Sequence, residues 1–292
     1  MSVIIGYYGK NGAVLGGDKR RIMFRGDVEK RKMLEKLLYN GEIKNDEELL
    51  KKAEELGIKL HIEDGKKKVR KIGNDVLVGE VKTIGIDSKR RRVYLTKGKC
   101  MIVDVFNDEI KNKLIKTGSG VVVFGNKYVK KIAEDEFKKI GHRLTMMSLE
   151  EIKDIIENIF KKYDTPSVSK EYIVVYTTKE CKNLEEVVKK DLDELFEYRE
   201  TLRKKMIDFS KVMTIVNKIV KNGEVGVVKN GKLVLYDKYI AIDKICPNPN
   251  IFNDIEIRGD VEEGDVVVIE NGEMKIKGKN TPVFVDHIIC EK

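Results

Sequence analysis

The sequence predicts an α+β chain of two units, on three observations: strand-like apolar segments open it, helical periodicity fills its middle, and strands with turns return after Gly223. At 292 residues it exceeds one typical domain, and 41% apolar residues suffice for a core. The expected division is residues 2–205, with a helical insertion at about 28–57, and a β-rich unit at 206–292.

Ser2 to Tyr8 reads as a strand and Ala13 to Gly17 as its return, because Asn11-Gly12 supplies the positive φ that a hairpin needs. From Val28 to Gly57 the pattern changes. Met33, Leu34, Leu37 and Leu38, then Leu49, Leu50, Ala53 and Leu56, recur at helical spacing on either side of Gly41. Strands follow at 59–63, 68–72, 76–79, 82–87, 92–96, 100–106 and 121–124, bounded by Gly, Asn or Asp. A helix is expected near 127–141. Another starts at Ser148, where Glu151 completes a capping box ahead of Ile152, Ile155, Ile156, Ile159 and Phe160.

The Tyr-Ile-Val-Val-Tyr run within 171–177 is a buried strand by composition. Leu184 to Val220 carries Leu192, Leu195, Leu202, Met206, Phe209, Met213 and Val216 at helical spacing, a face expected to pack on the core rather than form a coiled coil. The tail reads as about seven strands, a small β-barrel-like domain.

Charged residues make up 37% of the chain, and Gln and Trp are absent, usage that fits a thermophilic archaeon. The net charge of +9 is spread among acids, which argues for a solvated surface over a nucleic-acid face. Two basic segments stand out, Lys66-Lys67-Lys68 with Arg70-Lys71 and Lys89-Arg90-Arg91-Arg92, suited to a phosphate backbone or an acidic partner. Cys100, Cys181, Cys246 and Cys290 are too far apart for a CxxC zinc site, and His61, His142 and His287 stand alone. No cofactor or metal is expected. No apolar run spans a bilayer and no signal peptide opens the chain, so a cytoplasmic protein is expected.

Removal of Met1 would leave Ser2 with an α-amine beside its hydroxyl, a self-contained base and nucleophile, since an α-amine titrates near pH 8. Alone, Met-Ser is a weak motif. Ser2-Val-Ile-Ile-Gly-Tyr-Tyr-Gly, continued without a gap to Gly17-Asp18-Lys19-Arg20, resembles the first hairpin of proteasome β subunits, where Asp-x-Arg follows the catalytic residue at the same separation. The run from Lys66 to Gly79 resembles their segment carrying the catalytic lysine and the oxyanion glycine. Val121-Val-Val-Phe-Gly125-Asn126 stands where they have strand-Gly-Ser-Gly, and Asp164-Thr-Pro-Ser167 keeps their Asp-x-x-Ser.

This resemblance implies an N-terminal-nucleophile αββα sandwich with Ser2 as nucleophile. Lys68 lowers the cost of the alkoxide, with Lys67 as the alternative, and Asp18 holds the lysine ionised. Asp164, Ser167 and Asn126 order the α-amine and a water, Arg20 supports them, and the Gly79 amide faces the oxyanion. Each of these positions also has a plain structural reading as a capped turn, a surface lysine or a helix end.

Serine in place of threonine, the helical insertion and the added β domain depart from proteasomes, as does the absence of a propeptide ahead of Ser2. That combination resembles archaeal connectase, a proteasome-related protein ligase of methanogens. The resemblance implies recognition of a Lys-Asp-Pro-Gly-Ala-like segment, cleavage of its Asp-Pro bond, a covalent conjugate, and transfer to another proline-started peptide. It also implies the A component of the methyltransferase complex, tetrahydromethanopterin S-methyltransferase, as target, with nothing pointing to a proteasome-like ring. Plain amide hydrolysis and a non-catalytic nucleic-acid-binding module are the rival readings.

Overall fold

A computed structural model describes residues 3–84, 87–279 and 281–292. The chain divides into two compact units, residues 1–192 and 193–292.

In the first unit, β1 (Ile4–Gly9) and β2 (Gly12–Asp18) form the expected hairpin, closing at the Gly9–Gly12 pair. Gly12 has φ +144°, and a Cβ there would lie 2.2 Å from the Thr177 carbonyl oxygen, so glycine is required. Next come β3 (Arg21–Arg25), α1 (Val28–Tyr39), α2 (Asp46–Glu55) and β4 (Lys59–Glu63). β3 and β4 pair antiparallel, and the two helices form the insertion between them. Leu34, Leu38, Leu49 and Ala53 turn inward to give it a small core with Ile22, Ile43 and Ile58. Asp27 and Asn45 cap the two helices through side-chain oxygens.

The chain continues through β5 (Val69–Ile72), β6 (Val76–Ile84), β7 (Ser88–Thr96), β8 (Lys99–Phe106) and β9 (Glu109–Thr117), an antiparallel sheet in sequence order. Then follow β10 (Gly120–Phe124), α3 (Lys127–Ile140), a 3-10 turn, α4 (Leu149–Lys162), β11 (Tyr172–Thr177) and α5 (Leu184–Asn217). β10, β1, β2 and β11, in that order, make a four-stranded antiparallel sheet.

Strand alternation makes β1 and β2 the centre of the unit. Val3, Ile5, Tyr7 and Val14 face α3 and α4, whereas Ile4, Tyr8, Ala13 and Leu15 face Val69, Leu77, Val93 and Leu95 of the five-stranded sheet. Gly16 lets α4 approach, because a Cβ there would sit 2.7 Å from an Ile156 methyl. On the far side of the five-stranded sheet, Arg92 and Tyr94 bind Asp191, near the start of α5. The layers of this unit therefore run helix, sheet, sheet, helix, an α+β arrangement.

Among the described residues, the second unit contains the rest of α5 and eight strands: β12 (Gly223–Lys229), β13 (Lys232–Leu235), β14 (Tyr239–Ile242), β15 (Ile251–Phe252), β16 (Asp254–Glu256), β17 (Val266–Glu270), β18 (Glu273–Ile276) and β19 (Ile288–Glu291). They form a five-stranded sheet, β16-β13-β12-β17-β18, and a three-stranded sheet, β15-β14-β19. Val225, Leu233, Ala241, Ile255, Val267 and Ile289 draw both sheets over one core. The arrangement is two sheets rather than a single barrel wall.

Three sequence expectations are revised. The apolar face on the second half of α5 is not packed away: Leu202, Met206, Phe209, Met213 and Val216 are exposed. β3 and β9 are strands that composition did not announce. Much of the two basic segments is paired within the fold: Arg90 and Arg92 are buried against Glu80, Arg92 also binds Asp191, Arg91 pairs with Asp104, Arg70 with Asp191 and Lys66 with Glu63. Among the described residues, no helix is long and apolar enough to cross a membrane.

Candidate active site

Asp18 ends β2 with a fully buried carboxylate. Burial of a lone carboxylate is costly, and here four donors answer it. Oδ1 accepts from the Val3 amide at 2.7 Å and from Lys68 Nζ at 2.7 Å. Oδ2 accepts from the Arg20 amide at 2.9 Å and the Ser169 amide at 3.5 Å. Val3 is one peptide bond from Ser2, so the carboxylate anchors the chain next to the expected nucleophile. Ser2 itself lies outside the described residues.

Lys68 immediately precedes β5, and its backbone carbonyl accepts from the Glu80 amide. Its side chain is 8% exposed and also donates to the Arg20 carbonyl at 2.5 Å. Burial pushes its ammonium below the ordinary lysine range, and the Asp18 carboxylate opposes that shift. Neighbouring Lys67 is exposed, so of the two lysines the strand turns Lys68 onto Asp18.

Arg20 gathers the surrounding segments. Its Nε and Nη2 donate to the two oxygens of Asp64 at 3.0 Å each, and Nη1 donates to Asp46 at 2.6 Å and to the Pro166 carbonyl at 3.1 Å. The guanidinium beside Asp64 holds that carboxyl below its usual range.

A second polar group sits between α3 and the segment after α4. Asn126 is the N-cap of α3: its Oδ1 accepts from the Val129 amide at 2.9 Å, which leaves Nδ2 to donate to Ser167 Oγ at 3.2 Å. Ser167 Oγ lies 3.1 Å from Thr165 Oγ1. All three side chains are buried. Ser169, two residues on, presents its amide to Asp18, so this hydroxyl-rich turn reaches the Asp18–Lys68 pair through the backbone.

Two expected residues are placed elsewhere. Asp164 is 85% exposed and pairs only loosely with Lys170, at 3.6 Å, because the turn at Thr165–Pro166 directs it outward. Gly79 lies inside β6, in register with Val69 and Val93. Since the Glu80 amide points to β5, ladder alternation turns the Gly79 amide toward β7, away from the cluster.

Thr165, Ser169, Asp46 and Asp64 were not anticipated. The run Thr165-Pro-Ser-Val-Ser169 is dense in hydroxyls and carried a usable signal, whereas Asp46 and Asp64 carried none.

The geometry thus combines a buried acid–lysine couple, a turn of buried hydroxyls and the first described residue of the chain. Such a set holds a cation and its anion away from water at the start of the described chain. Comparison with curated proteins returns no match. A family model described as Connectase MJ0548-like, N-terminal domain, matches residues 1–193, and one described as Connectase MJ0548-like, C-terminal domain, matches residues 197–290. Together they span nearly the whole chain, and the chain belongs to the connectase family, which gives it a connectase-type function.

Proposed function

We propose that the protein is a serine transpeptidase of the N-terminal-nucleophile, proteasome-like class, a sequence-specific protein ligase. The observation that carries this reading is the fully buried Asp18 carboxylate, which holds the amide next to Ser2 on the same oxygen that binds Lys68. The helix-sheet-sheet-helix order of the first unit and the family membership support it.

With Met1 removed, the neutral α-amine of Ser2 takes the hydroxyl proton as Oγ attacks the carbonyl of the Asp in an Asp-Pro bond. The proton passes to the proline nitrogen as the C–N bond breaks, and the proline-started fragment leaves. The acyl group remains as an ester on Oγ, one five-membered ring from the α-amine, and can shift to the amide and back. A second proline-started peptide reverses the sequence and forms a new Asp-Pro bond. Lys68, kept cationic by Asp18, favours the neutral amine and the developing alkoxide. Ser167, fixed by Asn126, orders the amine or a proton-carrying water. The substrate is a Lys-Asp-Pro-Gly-Ala-like segment, and the target the A component of tetrahydromethanopterin S-methyltransferase.

The test incubates the protein with a Lys-Asp-Pro-Gly-Ala peptide and a distinct proline-started peptide, followed by product and intact-protein mass analysis. Cross-joined product and an adduct on a chain lacking Met1 are expected. Cleaved product alone would leave a hydrolase, and full turnover by Ser2→Ala would remove the nucleophile assignment.

A further inference from the structure

Arg20 is one residue past the Asp-x in the sequence motif, yet its side chain leaves the Asp18–Lys68 pair altogether. Its backbone serves the pair: the amide binds Asp18 Oδ2 at 2.9 Å and the carbonyl accepts from Lys68 at 2.5 Å. Its guanidinium serves three other segments. It forks onto Asp64 in the β4–β5 connection, binds Asp46 in the first turn of α2 at 2.6 Å, and binds the Pro166 carbonyl at 3.1 Å.

We infer that Arg20 is a positioning residue through which the helical insertion sets the geometry of the Asp18–Lys68 pair. The Arg20 side chain is 12% exposed, whereas Asp46 and Asp64 are 46% and 41% exposed. The cation is therefore fixed by the fold, while the two carboxylates that hold it, one in the insertion and one after β4, stand nearer the surface. The fork onto Asp64 fixes the plane of the guanidinium through two parallel N–H···O bonds, and the single bond from Nη1 to Asp46 ties the helical insertion to that fixed group. Movement of Asp46 accordingly reaches the main chain of Arg20, and with it both atoms that hold Lys68 and Asp18. Asp46 bonds to Arg20 and not to Asp18 or Lys68, so the shortest bonded route from it to Lys68 runs through Arg20.

The coupling is structural and can be read without the ligase chemistry, on which only its functional consequence rests. Full-length protein, Asp46→Asn, Arg20→Lys and the control Glu55→Gln, which alters the same helix at its Lys52 pair, are pulsed with an N-hydroxysuccinimide acetate reagent at fixed pH. Peptide mass spectrometry then gives the acetylation of Lys68 relative to exposed Lys139. Asp46→Asn and Arg20→Lys are expected to raise Lys68 labelling about fivefold or more, the change in local opening that one lost charged hydrogen bond allows. Glu55→Gln stays at the wild-type level, and melting temperature verifies folding of each variant. Should Arg20→Lys fail to fold, Asp46→Asn decides alone, because Asp46 is itself 46% exposed and Asn keeps its size. Wild-type labelling of Lys68 in folded Asp46→Asn overturns the inference even where ligation is present. Raised labelling supports it even where no ligation is found.

Discussion

At the scale of single residues, Asp18 and Lys68 form a charge pair almost wholly removed from water, in which each group makes the other tolerable. Removing one member of such a pair strands the other, a cost of about 3–5 kcal/mol. Asp18→Asn keeps the size of the side chain but leaves Lys68 buried without its anion, so Lys68 gives up its proton more readily. The sign for activity follows. On the proposed mechanism, rate should rise as the α-amine of Ser2 loses its proton and fall as Lys68, held by burial below the usual lysine range, loses its own. The pH profile of adduct formation is expected to be a bell, and Asp18→Asn should move its alkaline limb to lower pH as well as reduce its height. An unchanged alkaline limb in folded Asp18→Asn would mean that Lys68 is not the group titrating.

The motif at Asp18 was legible in sequence, because a gapless hairpin fixes it, and the lysine after the insertion was legible only as Lys67 or Lys68 until the fold put Lys68 on Asp18. Asp164 was not. Asp-x-x-Ser gives spacing along the chain but not the direction of a turn, and Thr165-Pro166 turns the carboxylate to solvent while burying the hydroxyls around it. Gly79 failed for a related reason: a glycine in a strand does not say which neighbouring strand its amide faces.

At the scale of elements, the N-terminus of α3 does two jobs with one side chain. Asn126 caps the helix with its oxygen and holds Ser167 with its nitrogen. The two jobs separate by substitution. Asn126→Ala loses both and should destabilise the first unit by about 1–3 kcal/mol, from the missing cap and the lost donor to Ser167, whose hydroxyl keeps only Thr165. Asn126→Asp keeps the acceptor for the Val129 amide but presents an oxygen to Ser167, so that hydroxyl must donate where it previously accepted. Melting should then stay near wild type while acyl transfer slows. If Asn126→Asp melts with Asn126→Ala, or transfers at the wild-type rate, the divided role is refuted.

Among the elements, those with strong period were legible: the hairpin, α1, α2, α4 with its capping box, and β11. β9 was not, since every residue from Glu109 to Thr117 is exposed and no alternation marks it. β3 was hidden by its arginines, and only pairing with β4 across the insertion makes it a strand. In α5 a regular apolar spacing suggests burial along the whole length. Its first turns do bury Leu184, Val188 and Leu192, but the stripe beyond is exposed, so periodicity establishes the helix without establishing what covers it.

At the scale of the whole molecule, the formal charge of +9 is not reduced by pairing within the fold, but much of the two basic segments is held there. Of the two basic segments, Lys66, Lys68, Arg70, Arg91 and Arg92 are tied to Glu63, Asp18, Asp191, Asp104 and Glu80. The division into units at Leu192 and the sequence expectation at residue 205 both fall within α5, a continuous helix that belongs to both parts. The second unit closes its pairing within itself: every strand from β12 to β19 pairs with another in the same stretch. Its core, including Val220, Val225, Leu233, Tyr239, Ala241, Ile255, Val267 and Ile289, draws only on side chains from that stretch. A segment of this size with its own core and mostly local antiparallel pairings meets the requirements of an autonomous domain. Residues 193–292 expressed alone should therefore give dispersed amide resonances, strand-type circular dichroism and a single cooperative melt. A disordered fragment would show that these sheets depend on the first unit for their stability, and the chain would then have to be treated as one folding unit despite its two cores.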